Sequence, residues 1–248
     1  MLRPLVTAIR TLTILPVPGR DTDRFDRSLW YFPVAGAVIG AALLGMTRLV
    51  TMLAPGQTLL AAVLLAVTGA MLTGALHLDG LADTSDAFGG GKTREDMLRI
   101  LKDTRIGTFG AVAIAADLLC RTAAYAALLS AGRPEVIAAG AAVSRPVMAA
   151  LMASLPYARN GGGTASPYFQ KGLAGRVATW LILLACLGGC IAWLGWFTAG
   201  VAALTAVVAI AFFCARCLKL LGGITGDCIG AANEIFELLF CIAFVFIM

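Results

Sequence analysis

"VATWLILLACLGGCIAWLGWFTAGVAALTAVVAIAFFCA", residues 177–215, runs for thirty-nine residues without one charged side chain. A soluble domain has nowhere to bury such a run. A bilayer supplies the apolar solvent it needs, and one helical crossing takes about 20 residues. The run is long enough for two crossings, and Gly195 with its neighbours makes the turn between them. The rest of the chain agrees: of 248 residues, 60% are hydrophobic and 13% charged, against roughly 25% charged in a soluble domain. The mean hydropathy is strongly positive. These values exclude a soluble globular protein and describe a polytopic membrane protein of one domain, residues 1–248, set in a lipid bilayer. The formal charge of +5 then reports topology rather than nucleic-acid binding, and no nucleic acid is expected as a partner.

Outward from that run, apolar segments predict seven spans, near 29–53, 57–78, 107–131, 134–155, 177–196, 198–219 and 229–248. The expected fold is all-α, a membrane helix bundle of about seven transmembrane helices. A short interfacial helix over 3–15, stopped by Pro16 and Pro18, precedes them. Residues 1–28 form a cytoplasmic or interfacial N-terminal segment, which lacks the apolar core and cleavage site of a removable signal. Loop charge sets the orientation. Residues 79–106 carry Lys92, Arg94, Arg99, Lys102 and Arg105; residues 156–176 carry Arg159, Lys171 and Arg176; residues 216–228 carry Arg216 and Lys219. The alternate loops hold only Arg133. The positive-inside rule places the charged loops and the N-terminus in the cytoplasm and the C-terminus outside. The cysteines lie mostly in apolar runs, and the Cys214–Cys217 pair is read as packing rather than zinc binding.

Where the second apolar segment ends stands "HLDGLADTSD", residues 77–86, after twenty-eight uncharged residues, Leu49 to Leu76. Asp79, Asp83 and Asp86 follow an i, i+4, i+7 spacing, which puts three carboxylates within an arc of roughly 60° on a helix. Like charges on one stripe repel, and a divalent cation would offset that. Mg²⁺ takes one or two carboxylates plus waters and substrate phosphates. The following "DAFGGGKT" lacks the first glycine of a phosphate loop, and a membrane helix rather than a strand precedes it. Gly89 to Gly91 instead end the helix. A second acidic stretch, "GGITGDCIGAANEIFE" (222–237), offers Asp227, Glu234 and Glu237 within roughly an 80° arc if a helix starts at Asp227. Its Gly226 lets backbone approach a ligand closely. Within the spans, Asp117 and Arg121 form an i, i+4 pair. Arg145 lies mid-span and must face the interior, either pairing with Asp117 or reaching a substrate phosphate. Arg121 and Arg159 are further candidates for holding phosphate. His77, placed opposite the Asp stripe, is read as structural.

These motifs, with "LKDTRIGTFG" (101–110) and the weaker "TLTILPVPGR" (11–20), "YFPVAGAVIG" (31–40) and "YARNGGG" (157–163), resemble the cobalamin 5′-phosphate synthases. That family is also called the adenosylcobinamide-GDP ribazoletransferases. The likeness covers nearly the whole chain, and its two acidic motifs are specific. It implies an enzyme of a bacterial or archaeal inner membrane, with its active site facing the cytoplasm. The reaction implied joins α-ribazole, or its 5′-phosphate, to adenosylcobinamide-GDP with release of GMP and with Mg²⁺ as cofactor. By matching position it implies Asp79, Asp83, Asp86, Asp103, Arg105, Asp227 and Glu237 as site residues. Of these, Asp79, Asp83, Asp86, Asp227 and Glu237 are the expected metal ligands. A homo-oligomer, or a complex with other enzymes of the pathway, is compatible with it. The competing reading is a cation-coupled transporter using intramembrane carboxylates. Such carboxylates usually sit near the midplane of repeated halves, whereas this stripe stands at a span's end and no repeat relates the two halves.

Overall fold

The computed structural model describes residues 2–169 and 172–248; Lys171, counted above among the loop charges, lies outside them. Helix α1 (Leu2–Leu12) turns Val6, Ala8 and Leu12 inward. It ends three residues before the predicted limit, where Arg10 donates to the carbonyls of Val17 and Gly19 and folds the proline segment back. A short helix α2 (Phe25–Ser28) leads into α3 (Phe32–Leu53), then α4 (Thr58–Leu72), α5 (Leu76–Gly90) and α6 (Arg94–Ile100). The remaining long helices are α7 (Thr108–Ser130), α8 (Pro134–Ser154), α9 (Leu173–Leu194), α10 (Trp196–Leu221) and α11 (Gly226–Ile247). Gly195 alone separates α9 from α10, at φ +106°, as the uncharged run predicts.

Among the described residues, six helices are long and apolar enough to cross a membrane, and the bent pair α4–α5 would make a seventh. Their outer faces carry Leu181, Leu184, Leu204 and Phe212 exposed, as lipid-facing surfaces should. The centre is α8, buried almost all round. Gly36 and Gly40 of α3 press on it: a Cβ at Gly40 would stand 2.6 Å from the Ala138 carbonyl oxygen, and one at Gly36 2.8 Å from that of Ala142. This is the close backbone approach that small residues four apart allow between membrane helices.

One predicted span is corrected. The apolar run suggests a single helix over 57–78, but α4 stops at Leu72 and α5 sets off at 88° to it. The break is a Schellman turn, with Ala75 N donating to Ala70 O and Gly74 N to Met71 O. Gly74 at φ +61° takes the left-handed position freely, while Ala75 at φ 57° holds a conformation costing roughly 1–2 kcal/mol for a residue with a Cβ. Ile14 N satisfies the freed Leu72 carbonyl at 2.8 Å. Periodicity cannot see this break, because every residue around it is apolar or small. Its result is that the Asp-bearing helix turns across the loop end of the bundle.

Candidate active site at the loop end of the bundle

Helix α5 reaches α11 through its glycines. A Cβ at Gly80 would lie 2.5 Å from the Asp227 carbonyl oxygen, and one at Gly230 3.2 Å from the His77 Cα. That approach brings Asp79 and Asp227, from opposite ends of the chain, to the wall of one cavity of about 270 Å³. Asp83 stands within the field of Asp79, Asp227 and Asp86, with Arg159 its opposing charge. Neither Asp79 nor Asp83 has a cation within ion-pair distance among the described residues. Asp227 does: Arg159 Nη2 lies 2.6 Å from its Oδ2 and also donates to the Leu101 carbonyl at 2.8 Å. Thr225 caps α11, accepting from Cys228 N at 3.3 Å, with its hydroxyl 3.2 Å from Asp227 Oδ2. A Thr just before Gly-Asp is a helix-start signal that the sequence displays. Gly226 lines the cavity, and a Cβ there would crowd Ala165 at 3.0 Å.

Other sequence candidates fall elsewhere. Asp86 points to α7, where its oxygens accept from Gly107 N at 2.7 Å and Gly110 N at 2.8 Å. It serves as the anion at that helix's N-terminus. Asp103 and Arg105, on the turn after α6, hold each other. Arg105 Nε lies 3.0 Å from Asp103 Oδ1 and Nη2 2.8 Å from Oδ2, and these hydrogen bonds hold the exposed Asp103 carboxyl down to about 2.

Glu237, expected to close the metal wall, sits instead in a buried network. Its Oε1 lies 2.8 Å from Arg121 Nη1 and its Oε2 2.6 Å from Arg145 Nη1. Arg121 also grips Glu234 at 2.6 Å and Asp117 at 3.0 Å. Thus Arg121 and Arg145, read as candidates for substrate phosphates, are committed to carboxylates inside the bundle. Arg145 faces inward as expected, with Glu237 rather than Asp117 as its partner. The reason is axial. Asp227 and Glu237 share a face of α11, but ten residues of helix separate them by about 15 Å.

Sequence reasoning also passed over Arg94 and His77. Arg94 donates to Leu221 O at 2.7 Å and Ala158 O at 2.8 Å, tying α6 to the end of α10 and to the loop after α8. The three charged loops therefore meet at one end of the bundle. His77, two residues before Asp79 and so on the opposite face of α5, also borders the cavity and is 1% exposed. Among the described residues no three His, Cys, Asp or Glu side chains form a ready-made metal cage. What the arrangement offers is an anionic rim of two carboxylates free of cations and a third on an arginine, beside a largely apolar cavity.

The family model described as "Cobalamin-5-phosphate synthase" matches residues 4–245. A relative from Chlorobaculum tepidum is 43% identical over 243 residues, covering 96% of this chain and 92% of its own length. One from Chlorobaculum parvum is 41% identical over 244 residues, covering 96% and 93%. One from Ralstonia nicotianae is 39% identical over 249 residues, covering 96% and 92%. Each of the three bears the name adenosylcobinamide-GDP ribazoletransferase. No solved structure matches the chain.

Proposed function

Because the chain belongs to the cobalamin-5-phosphate synthase family, we propose that it is the membrane transferase that joins α-ribazole or its 5′-phosphate to adenosylcobinamide-GDP and releases GMP. The observation that carries this at the site is the convergence of Asp79 and Asp227 on one cavity rim, from two motifs far apart in the chain, with Asp83 within the field of both. In the reaction, a hydroxyl oxygen of the nucleoside forms a bond to the phosphorus bearing adenosylcobinamide. The P–O bond of the pyrophosphate bridge breaks, GMP leaves with those electrons, and the hydroxyl proton passes to a carboxylate. Phosphoryl transfer of this kind asks a protein mainly for positioning and charge neutralisation.

The rim fits Mg²⁺, which needs only one or two carboxylates and completes its shell with waters and substrate phosphates rather than a protein cage. Asp227 with one of Asp79 and Asp83 would hold it, leaving the other free as a base, and it would supply charge to the pyrophosphate oxygens and acidify the attacking hydroxyl. Crowded carboxylates without a cationic partner support that choice. Arg159 orients Asp227 and adds a positive charge beside the rim. Asp79 or Asp83 takes the proton. The loop-charge asymmetry supports a bacterial inner membrane with this end in the cytoplasm.

The test is direct. Purified protein in nanodiscs, given adenosylcobinamide-GDP and α-ribazole, should release GMP with Mg²⁺ and none with excess chelator. Chelator-insensitive release would remove the metal from the proposal, and no release with either acceptor would remove the transferase.

A further inference from the structure

The cavity beside Asp79 and Asp227 is larger than the carboxylate rim requires. Its inner wall is apolar, built from Leu12, Phe32, Met148, Met152, Tyr168 and Ile229. At about 270 Å³ it falls just below the roughly 300–1,000 Å³ of small-molecule pockets, too small for a corrin macrocycle. His77 lines it, buried, and neither of its ring nitrogens has a hydrogen-bond partner among the described residues. Its Nδ1 is 4.0 Å from Glu234 Oε1, beyond hydrogen-bond reach. Both nitrogens are closed off from the open space and stand within the field of Arg145, Glu237 and Arg121, so His77 borders the cavity by its bulk and offers a ligand no ring nitrogen. Beyond the rim carboxylates, the other polar side chains on the wall are Thr11, Thr164 and Tyr168, and the Tyr168 hydroxyl is already 2.6 Å from the Thr11 hydroxyl.

We propose that this cavity holds the base of the acceptor nucleoside. The proposal rests on the transferase reading above and names the subsite within it. Two bases compete for such a pocket, the guanine of the donor and the benzimidazole of the acceptor. Guanine carries donors and acceptors along two edges, and burying them unmatched against methionine and aromatic rings is strongly unfavourable. A benzimidazole joined to ribose has one free ring nitrogen and an otherwise apolar outline, which matches a largely apolar wall. Met148 and Met152 add adaptable walls, since thioethers fill irregular space and contact aromatic rings favourably. The position also suits the chemistry: a base seated there leaves its ribose toward the Asp79–Asp227 rim, where the hydroxyl must react.

Equilibrium dialysis of α-ribazole against the full-length protein in nanodiscs, with steady-state kinetics for both substrates, tests this. Met148→Trp, which fills the cavity, should weaken α-ribazole binding and raise its KM by about tenfold or more, leaving the KM for adenosylcobinamide-GDP within about twofold. Met152→Ala should shift preference toward the riboside of a larger base such as naphthimidazole. Folding of each variant is checked by its elution profile and melting temperature. GMP release by the wild type together with an unchanged acceptor KM in folded Met148→Trp overturns the pocket and spares the transferase. A shifted donor KM in its place assigns the cavity to the other substrate and equally overturns the proposal. α-Ribazole binding that responds to these variants without any GMP release keeps the pocket and removes the transferase. Neither binding nor release removes both.

Discussion

Asp79 and Asp83 have no cation within ion-pair distance among the described residues, whereas Asp86, on the same stripe, faces two backbone N–H groups of α7. The three should therefore respond differently to loss of charge. Asp79→Asn and Asp83→Asn keep volume and leave the fold intact, so turnover should fall by roughly 10²–10⁴ with an unchanged melting temperature. Near-normal Mg²⁺-dependent turnover in both variants would reduce the stripe to a solvated surface. Asp86→Ala leaves the first N–H groups of α7 unmet and should cost about 1–2 kcal/mol of stability, read as a lower melting temperature. Asp86→Asn, which keeps an acceptor oxygen, should recover part of it. Glu237→Gln tests the correction made above. Loss of its charge leaves Arg145 underpaired in a buried site, and breaking such a pair costs about 3–5 kcal/mol. The Mg²⁺ concentration giving half-maximal turnover should not move in the protein that remains folded; if it does, Glu237 touches the metal.

At the scale of elements, the site depends on how closely α5 lies against α11. Gly80 meets the Asp227 backbone, and backbone cannot swing aside as a side chain can. Gly80→Ala should push the helices apart, separate Asp79 from Asp227, and lower stability by about 1–3 kcal/mol through overpacking. Turnover should fall at least tenfold. Gly188→Ala on α9, where an added Cβ meets nothing within 4 Å, is the matched control and should be neutral or slightly stabilising. Equal losses in both variants would show that helix flexibility rather than contact sets the effect. The Schellman break after Leu72 belongs to the same scale. It directs α5 across the bundle end, so that the acidic stripe meets α11 instead of continuing a span.

For the whole molecule, the charged segments 79–106, 156–169 and 216–228 converge through Arg94 and Arg159. Cysteine labelling in intact cells, in a background without native cysteines, should find position 94 shielded from an impermeant reagent and position 248 accessible. Labelling at 94 from outside would invert the orientation and the placement of the site with it. The bundle itself was legible in the chain because hydropathy is local: each uncharged run of about 20 residues needs lipid or protein wherever it lies. So were the turn at Gly195, the helix end at Gly89–Gly91 and both acidic motifs, since glycine and carboxylate act through their nearest neighbours. Partner choice was not. Whether Glu237 joins Asp227 or Arg145 depends on depth along α11, about 1.5 Å per residue, which an angular arc ignores. Whether Asp79 meets Asp227 depends on the tilt of α5, set by a break that apolar periodicity conceals. By itself, then, the sequence determined the membrane-spanning helices, the shared face of the charged loops and the family's two acidic motifs. Only the tertiary structure decided which carboxylates meet, because side-chain contacts turn on a few ångströms of helix position that no local pattern encodes.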